Sequence, residues 1–305
     1  MPQNVTIRIS PTEAANEKIL KQRLASAVKT KPENINAYQI IRRSLDARSR
    51  NIISQLQVNV FVNEEFSDAF EFHPNLQNVE NKHEVYIAGA GPAGLFAALE
   101  LIEQGLKPII IERGKNVRDR RRDLAAMNKE GKVNPESNYC YGEGGAGTYS
   151  DGKLYTRSTK RGNILKSLQW FVHFGATERI LQEAHPHIGT NKLPGIIANM
   201  REAIIECGGE VWFDTKLTDI IIENNQIKGI EINHDKKIKT SSLILATGHS
   251  ARDIFRMLDE KKVLIEAKPF ALGVRVEHHQ SLIDSAQYHC PIGTERNEFL
   301  PPASY

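Results

Sequence analysis

Residues 84–114 read Glu84-Val-Tyr-Ile-Ala-Gly-Ala-Gly-Pro-Ala-Gly-Leu-Phe-Ala-Ala-Leu-Glu-Leu-Ile-Glu-Gln-Gly-Leu-Lys-Pro-Ile-Ile-Ile-Glu-Arg-Gly114. The apolar run Val85 to Ala88 has the length of a buried strand. Gly89, Gly91 and Gly94 follow at G-x-G-x-x-G spacing, and Pro92 and Ala93 open a helical pattern with Leu95, Ala98, Leu101 and Ile102 on one face. Gly105 closes that helix, Ile109 to Ile111 form a second buried strand, and Glu112 ends it. Each glycine has a part to play: Gly89 permits a tight turn, Gly91 lets backbone approach a pyrophosphate, and Gly94 lets helix and strand pack closely. The helix N-terminus offers unpaired N–H groups and a positive dipole end to the phosphates. Glu112 is placed to accept hydrogen bonds from ribose hydroxyls, and its charge disfavours a 2′-phosphorylated nucleotide there. A glycine-rich turn in an ordinary α/β protein would leave Glu112 unexplained. A membrane span needs roughly 20 apolar residues, more than Val85 to Leu99 supplies.

The chain has 305 residues, enough for two domains. No signal peptide opens it, and its three cysteines (Cys140, Cys207 and Cys290) form no C-x-x-C pair. A reducing, cytoplasmic setting is therefore expected, with no membrane association, disulfide framework or metal site. The net charge of +3 is uneven: residues 1–60 hold ten Lys/Arg against four Asp/Glu, leaving the remainder near −3. That basic end is either a solvated face or a surface for nucleic acid or another anion.

Val5, Ile7 and Ile9 alternate with polar residues as in a half-buried strand. Pro11 starts a helix with Thr12 as its N-cap candidate, and strands are expected over 35–45 and 51–62. This β-α-β-β order predicts a small α+β module, ferredoxin-like or a fragment of one. Residues 64–83 read as a linker. The basic run 113–123 reads as a solvated helix start, with Arg113 set apart by its place beside Glu112, where it can meet the adenosine or a phosphate. A second glycine cluster occupies 142–147. Its composition excludes stable helix or strand and favours a loop in which backbone approaches a ligand. Gly145 and Gly147 are the backbone candidates there, with Thr148, Ser150, Asp151 and Lys153 beside them as side-chain groups. Residues 161–190 read as mostly helical, and His185-Pro-His187 as a structural turn. An amphipathic helix from Leu193 to Ile205 ends at Gly208-Gly209. A meander of strands over 210–213, 219–223 and 227–232 is expected next, then an apolar strand, 242–246, running into Thr247-Gly248-His249.

Together these motifs resemble a glutathione-reductase-type flavoprotein. More narrowly, Gly144-Gly-Ala-Gly-Thr-Tyr-Ser-Asp-Gly-Lys-Leu154, His187-Ile-Gly-Thr-Asn-Lys-Leu193 and Ala271-Leu-Gly-Val-Arg-Val-Glu277 resemble the FAD-dependent (NAD(FAD)-utilising) dehydrogenases. The resemblance implies that the first β-α-β holds the ADP half of FAD. It implies that the loop at Lys216 and Leu217 touches adenine through backbone, and that Ala246, Thr247 and Gly248 lie against the dinucleotide. It also implies three regions: a basic module with linker at 1–80, an FAD-binding domain at 81–160 and 190–260, and a substrate-side portion with the start of its sheet at 161–189 and 261–305. Members of the family are longer and close the flavin site with a C-terminal Gly-Asp or Gly-Glu segment. No such segment follows Gly248, so a fragment or a natural truncation is expected. The expected function is FAD-dependent oxidoreduction on a small-molecule substrate, with NAD(P)H as a candidate electron donor or acceptor. The flavin carries the chemistry, so no catalytic residue is assigned. Arg275 is a candidate for binding an anionic substrate. The alternatives are a nucleotide-binding or RNA-interaction module without turnover, and a plain NAD-dependent Rossmann dehydrogenase. A meander after Gly209 argues against the latter.

Overall fold

The computed structural model describes residues 1–156, 162–189, 191–270, 272–274 and 276–303. Arg275 lies outside them, as do Thr190 and Ala271 of the motifs quoted above. The chain divides into two units, one of Met1–Glu71, Glu178–Pro186 and Pro269–Tyr305, the other of Phe72–Thr177 and His187–Lys268.

In the first unit, β1 (Gln3–Ile9), β2 (Ile35–Asp46) and β3 (Ile53–Val62) form an antiparallel sheet in the order β1-β3-β2. Its inward positions, Ile7, Ile9, Leu56, Val58 and Val60, pack with Leu20, Leu24 and Ala25 of helix α2 (Glu17–Ala27). Helix α1 (Pro11–Ala15) is capped two residues earlier than expected. Its cap is Ser10, whose hydroxyl accepts from the Glu13 amide while the Glu13 carboxylate accepts from the Ser10 amide. Thr12 is exposed. Pro11 explains the shift, because it fits the first helical position, where no N–H is needed. Ser10→Ala is therefore expected to cost about 1 kcal/mol in chemical denaturation, and Thr12→Ala nothing comparable. The hydrogen bond from Arg23, then those from the Ser10 amide and hydroxyl, lower the Glu13 pKa to about 2 from its usual 4.5. A lowered carboxyl stabilises the fold above its unfolded value and loses that contribution as pH falls through the folded one. The deficit of Ser10→Ala should accordingly shrink between pH 4.5 and 2.

In the second unit, β4 (Glu84–Ala88), β5 (Lys107–Ile111), β6 (Glu210–Trp212) and β10 (Leu243–Leu245) form a parallel sheet ordered β10-β4-β5-β6. Strand side chains alternate between faces. Tyr86, Ala88, Ile109 and Ile111 meet an antiparallel meander and helix α7 (Arg252–Glu260) through Leu217, Ile220, Ile230, Ile232, Ile254 and Met257. Helix α3 (Pro92–Glu103) packs on β4, β5 and helix α6 (Leu193–Glu206). The meander is β7 (Leu217–Glu223), β8 (Gln226–Ile232) and β9 (Lys236–Lys239). Asn224 and Asn225, both at positive φ, turn its first hairpin. The expected meander is thus corrected by one strand. Residues 210–212 extend the parallel sheet, because α6 returns the chain beside β5. The third meander strand, Lys-Lys-Ile-Lys, shows only one apolar residue, as edge strands often do.

The stretch 161–189 does not stay together. Helix α5 (Ile164–His173) belongs to the second unit, where Trp170 meets Phe72 edge-on and Phe171 meets Phe96. Residues 178–186 join the first unit, and Arg43 exchanges backbone hydrogen bonds with Gln182 and Ala184. After Glu260 the described residues contain helix α8 (Gln280–Tyr288) and no strand. Leu272 and Val274 are about nine-tenths exposed. Among the described residues no strand pairs with them, and these residues contain no start of a substrate-side sheet. No helix among the described residues is long and apolar enough to cross a membrane.

Candidate dinucleotide site

Three segments remote in sequence converge at the C-terminal ends of β4, β5 and β10. The first is the bend after β4. Gly89 has φ +108°, and a β-carbon there would lie 2.5 Å from the Ala246 carbonyl oxygen. Gly94 sits so close beneath the bend that a β-carbon would fall 1.9 Å from the Gly89 oxygen. Gly91 is different. Its φ of −75° suits any residue, and a β-carbon would have one neighbour within 4 Å, the Gly145 α-carbon at 3.9 Å. The protein itself does not demand glycine at 91, and its lack of a side chain leaves room in the cleft. Helix α3 starts at Pro92 with no side-chain cap, so its first-turn amides retain their capacity to donate.

The second segment is the 142–147 loop. Gly142, Gly144 and Gly145 all have positive φ, and the Gly144 amide donates to the Ala90 carbonyl at 2.8 Å, which docks this loop on the first bend. The third is the end of β10, where the Ala246 amide donates to Ala88 at 2.9 Å. They enclose a cleft of about 450 Å³. Of the residues singled out in the sequence, Gly89, Gly91, Pro92, Ala93, Glu112, Arg113, Gly145, Leu217, Ala246, Thr247 and Gly248 line it. Gly94 lies behind the bend. Gly147, Thr148, Ser150, Asp151 and Lys153 are not brought to the cleft. Thr148 is buried with its hydroxyl turned to the Glu143 and Gly145 carbonyls, the Ser150 hydroxyl donates to Gly147, and Lys153 stands 3.8 Å from Asp151. Short hydroxyl side chains beside glycines close the loop upon itself, as in other Ser/Thr turns.

Glu112 departs from its expected use. Its buried carboxylate accepts from three backbone amides: Ala90 at 2.8 Å, Gly114 at 2.8 Å and Gly142 at 3.0 Å. A carboxylate has about four acceptor directions, so about one is left for a ribose hydroxyl. Arg113 is likewise committed. It donates to Asp253, lies 3.5 Å from Glu136 and stacks on Tyr141 with its guanidinium carbon 4.4 Å from the ring centroid. Lys216 joins the same two acids at 2.9 and 3.2 Å. Burial raises the Asp253 pKa, but the Arg113 hydrogen bond and charge, with those of Lys216, outweigh it and hold it below the usual carboxylate range. The backbone of Lys216 is also taken, its amide by Asn233 Oδ1 and its carbonyl by the Asn233 amide. The Lys216 amide is thus unavailable to a base while its carbonyl keeps a second lone pair, and Thr215, Leu217, Ile254 and Leu258 give the cleft a partly apolar wall.

Several residues of the site were hidden in the sequence. Tyr141 lines the cleft and its hydroxyl donates to the Ser250 carbonyl. Arg120, read as part of a solvated run, is fully buried. Glu143 is buried as well, and burial raises its pKa despite the Val117 amide and Arg201. A charge amid four glycines was a visible signal for Glu143. Nothing in Arg-Asp-Arg-Arg-Arg distinguished Arg120. A larger hollow, about 800 Å³, lies over Asn116, Arg118, Arg122 and Arg201. It lacks a free helix end, since Glu143 and Asn116 already take the amides of Val117, Arg118 and Asp119. Among the described residues no three His, Cys, Asp or Glu are placed to hold a metal ion.

Similarity to known proteins bears on the same cleft. An uncharacterized protein of Clostridium beijerinckii is 39% identical over 285 residues, covering 88% of this chain and 53% of that protein. Thiamine thiazole synthase of Aeropyrum pernix is 28% identical over 152 residues, covering 50% of this chain and 44% of that enzyme. The chain thus spans about half the length of the curated relatives it matches. The crystal structure of Thermovibrio ammonificans THI4 aligns with TM-score 0.39 at 16% identity, over 60% of this chain and 64% of that one. Residues 1–61 match a domain of unknown function (DUF8436), and residues 269–305 match "FAD-dependent protein, C-terminal domain-like". Residues 82–125, which carry the first glycine bend, Glu112 and Arg113, match "FAD binding domain". Residues 82–125 thus carry an FAD-binding segment, and FAD is the cofactor this match supports.

Proposed function

We propose that this chain is an FAD-dependent oxidoreductase acting on a small molecule still to be identified. The observation that carries the reading is the convergence of Gly89–Gly94, Gly142–Gly147 and Ala246–Gly248 on one cleft, beside an uncapped helix N-terminus. Gly91 and the first turn of α3 would receive the diphosphate, and Leu217, Ile254 and Leu258 an aromatic base. Bound flavin supplies hydride or electron-pair chemistry. The residues named here bind and orient it, and the Gly89–Ala246 contact keeps the bend closed. A parallel sheet with an antiparallel meander between β6 and β10 supports the glutathione-reductase-type arrangement. The order β1-β3-β2 supports a ferredoxin-like half in the basic module.

Purified protein is expected to be yellow, or to become so on adding FAD, with the released flavin running as FAD in chromatography. A colourless protein that takes up no FAD on titration, or that binds NAD in its place, would overturn the reading.

A further inference from the structure

We propose that Arg120, buried within the run read as a solvated helix start, is a positioning residue for the cofactor. It holds the second glycine loop against the first bend without reaching the cleft. The inference rests on the assignment of FAD to that cleft.

Arg120 lies in helix α4 (Val117–Glu130) and is fully buried. Its guanidinium donates to the carbonyls of Asn138 (2.9 Å), Tyr139 (3.2 Å), Gly142 (3.3 Å) and Glu143 (2.7 Å), and to the Thr148 hydroxyl (3.1 Å). Five contacts from one side chain, four of them to carbonyls of a single loop, is an expensive use of a buried cation unless the loop's course matters. Two of these contacts, to Gly142 and Glu143, fall on consecutive peptide groups. In a trans peptide the C=O and N–H point in opposite directions. With the Gly142 and Glu143 oxygens turned to Arg120, the following amides must face the other way. They do: Glu143 N–H donates to Lys115 at 3.0 Å, and Gly144 N–H donates to Ala90 at 2.8 Å. The loop is thus threaded between a buried guanidinium and two carbonyls, that of Ala90 in the first bend and that of Lys115 after β5. Two carbonyl oxygens that would repel a diphosphate are turned inward, away from the cleft wall formed by Gly142, Gly145 and Ala146. Buried Glu112 and Glu143 lie near enough to favour the charge that desolvation opposes.

The test compares apo wild type with Arg120→Met, which keeps the volume and removes the donors, and Arg120→Lys, which restores a charge and some of them. Flavin fluorescence titration gives the FAD Kd, and amide hydrogen exchange is followed residue by residue. Arg120→Met is expected to weaken FAD binding about tenfold or more through lost preorganisation. The Glu143 and Gly144 amides should exchange faster while those of β4 and β5 stay as in wild type, and Lys should recover part of both effects. An FAD Kd within about twofold of wild type, or exchange rising evenly through the whole unit, would overturn the proposal. If Arg120→Met does not fold, Thr148→Val removes one Arg120 contact, together with the hydroxyl's own bonds to the Glu143 and Gly145 carbonyls, at nearly constant volume. It should weaken FAD measurably and speed Gly144 exchange, and no change in either overturns the proposal. Wild-type protein that takes up no FAD overturns the cofactor assignment and this inference with it. Wild type that binds FAD beside a variant that binds equally well overturns the inference alone.

Discussion

Gly91→Val should abolish FAD retention at small cost to the apo protein, and Gly94→Ala, three residues on, should leave the site open but destabilise the unit. The contrast follows from what a side chain would meet. At 91 the backbone is ordinary and the nearest atom to a new β-carbon is 3.9 Å away. A β-carbon there fits the fold, and valine's methyl groups extend into the space beside the uncapped helix end, where a diphosphate must come within hydrogen-bonding distance. FAD affinity is expected to fall about 100-fold or more, or roughly 2.7 kcal/mol, while apo stability falls by about 1 kcal/mol, the cost of valine at the helix N-cap. At 94 a β-carbon would overlap the Gly89 carbonyl oxygen at 1.9 Å. Alanine in a helix gains about 1 kcal/mol over glycine. Forcing backbone apart in a packed core costs about 3 kcal/mol, so the clash wins and the variant loses about 2 kcal/mol or more. Thermal unfolding of the apo forms and FAD titration separate the two effects. Equal flavin retention in Gly91→Val and wild type would mean that no phosphate approaches this bend.

The first β-α-β unit was legible because every level agreed: apolar strands, three glycines in register, a helical face, a closing glycine and a terminal acid. The meeting of 89–94 with 142–147 and 246–248 could be expected only through resemblance, since such contacts depend on sheet order, which local patterns do not encode. The misreadings share one physical origin. Arg120, Glu143, Glu112 and Arg113 are charged, and charge in a sequence points to solvent or ligand. Here the loops that bound the cleft run through the protein as irregular backbone, and irregular buried backbone needs partners. Charged side chains satisfy it: Glu112 takes three amides, and Arg120 takes four carbonyls. The same cause moved Thr148 from the list of ligand donors to the loop's interior. The partner of residues 210–212 and the strand at 236–239 were not legible, because three- and four-residue strands carry too little pattern to reveal themselves or their partners.

Glu112→Gln distinguishes the two uses of that carboxylate. If it served chiefly as a ribose acceptor, the amide would keep an acceptor oxygen, apo stability would be unchanged, and FAD would bind somewhat more weakly. The structure makes the apo protein itself sensitive. One oxygen faces the Gly114 and Gly142 amides, the other the Ala90 amide. A carboxamide can present oxygen to only one side, and in its better orientation its NH2 is set against the Ala90 N–H. A buried donor left without an acceptor costs about 1–3 kcal/mol, so Glu112→Gln should lose about 2 kcal/mol in apo denaturation. Glu112→Ala strands all three amides and should lose more, about 3–5 kcal/mol. Because Glu112 grips the amide of Gly142 and Arg120 its carbonyl, the two side chains hold the same residue from opposite sides. Once either is gone the loop is already loosened, and removing the other should cost less than it does alone. The double variant with Arg120→Met should therefore fall short of the sum of the single losses. Strict additivity would mean that the two do not share a loop, and the clip between the glycine segments would have to be abandoned.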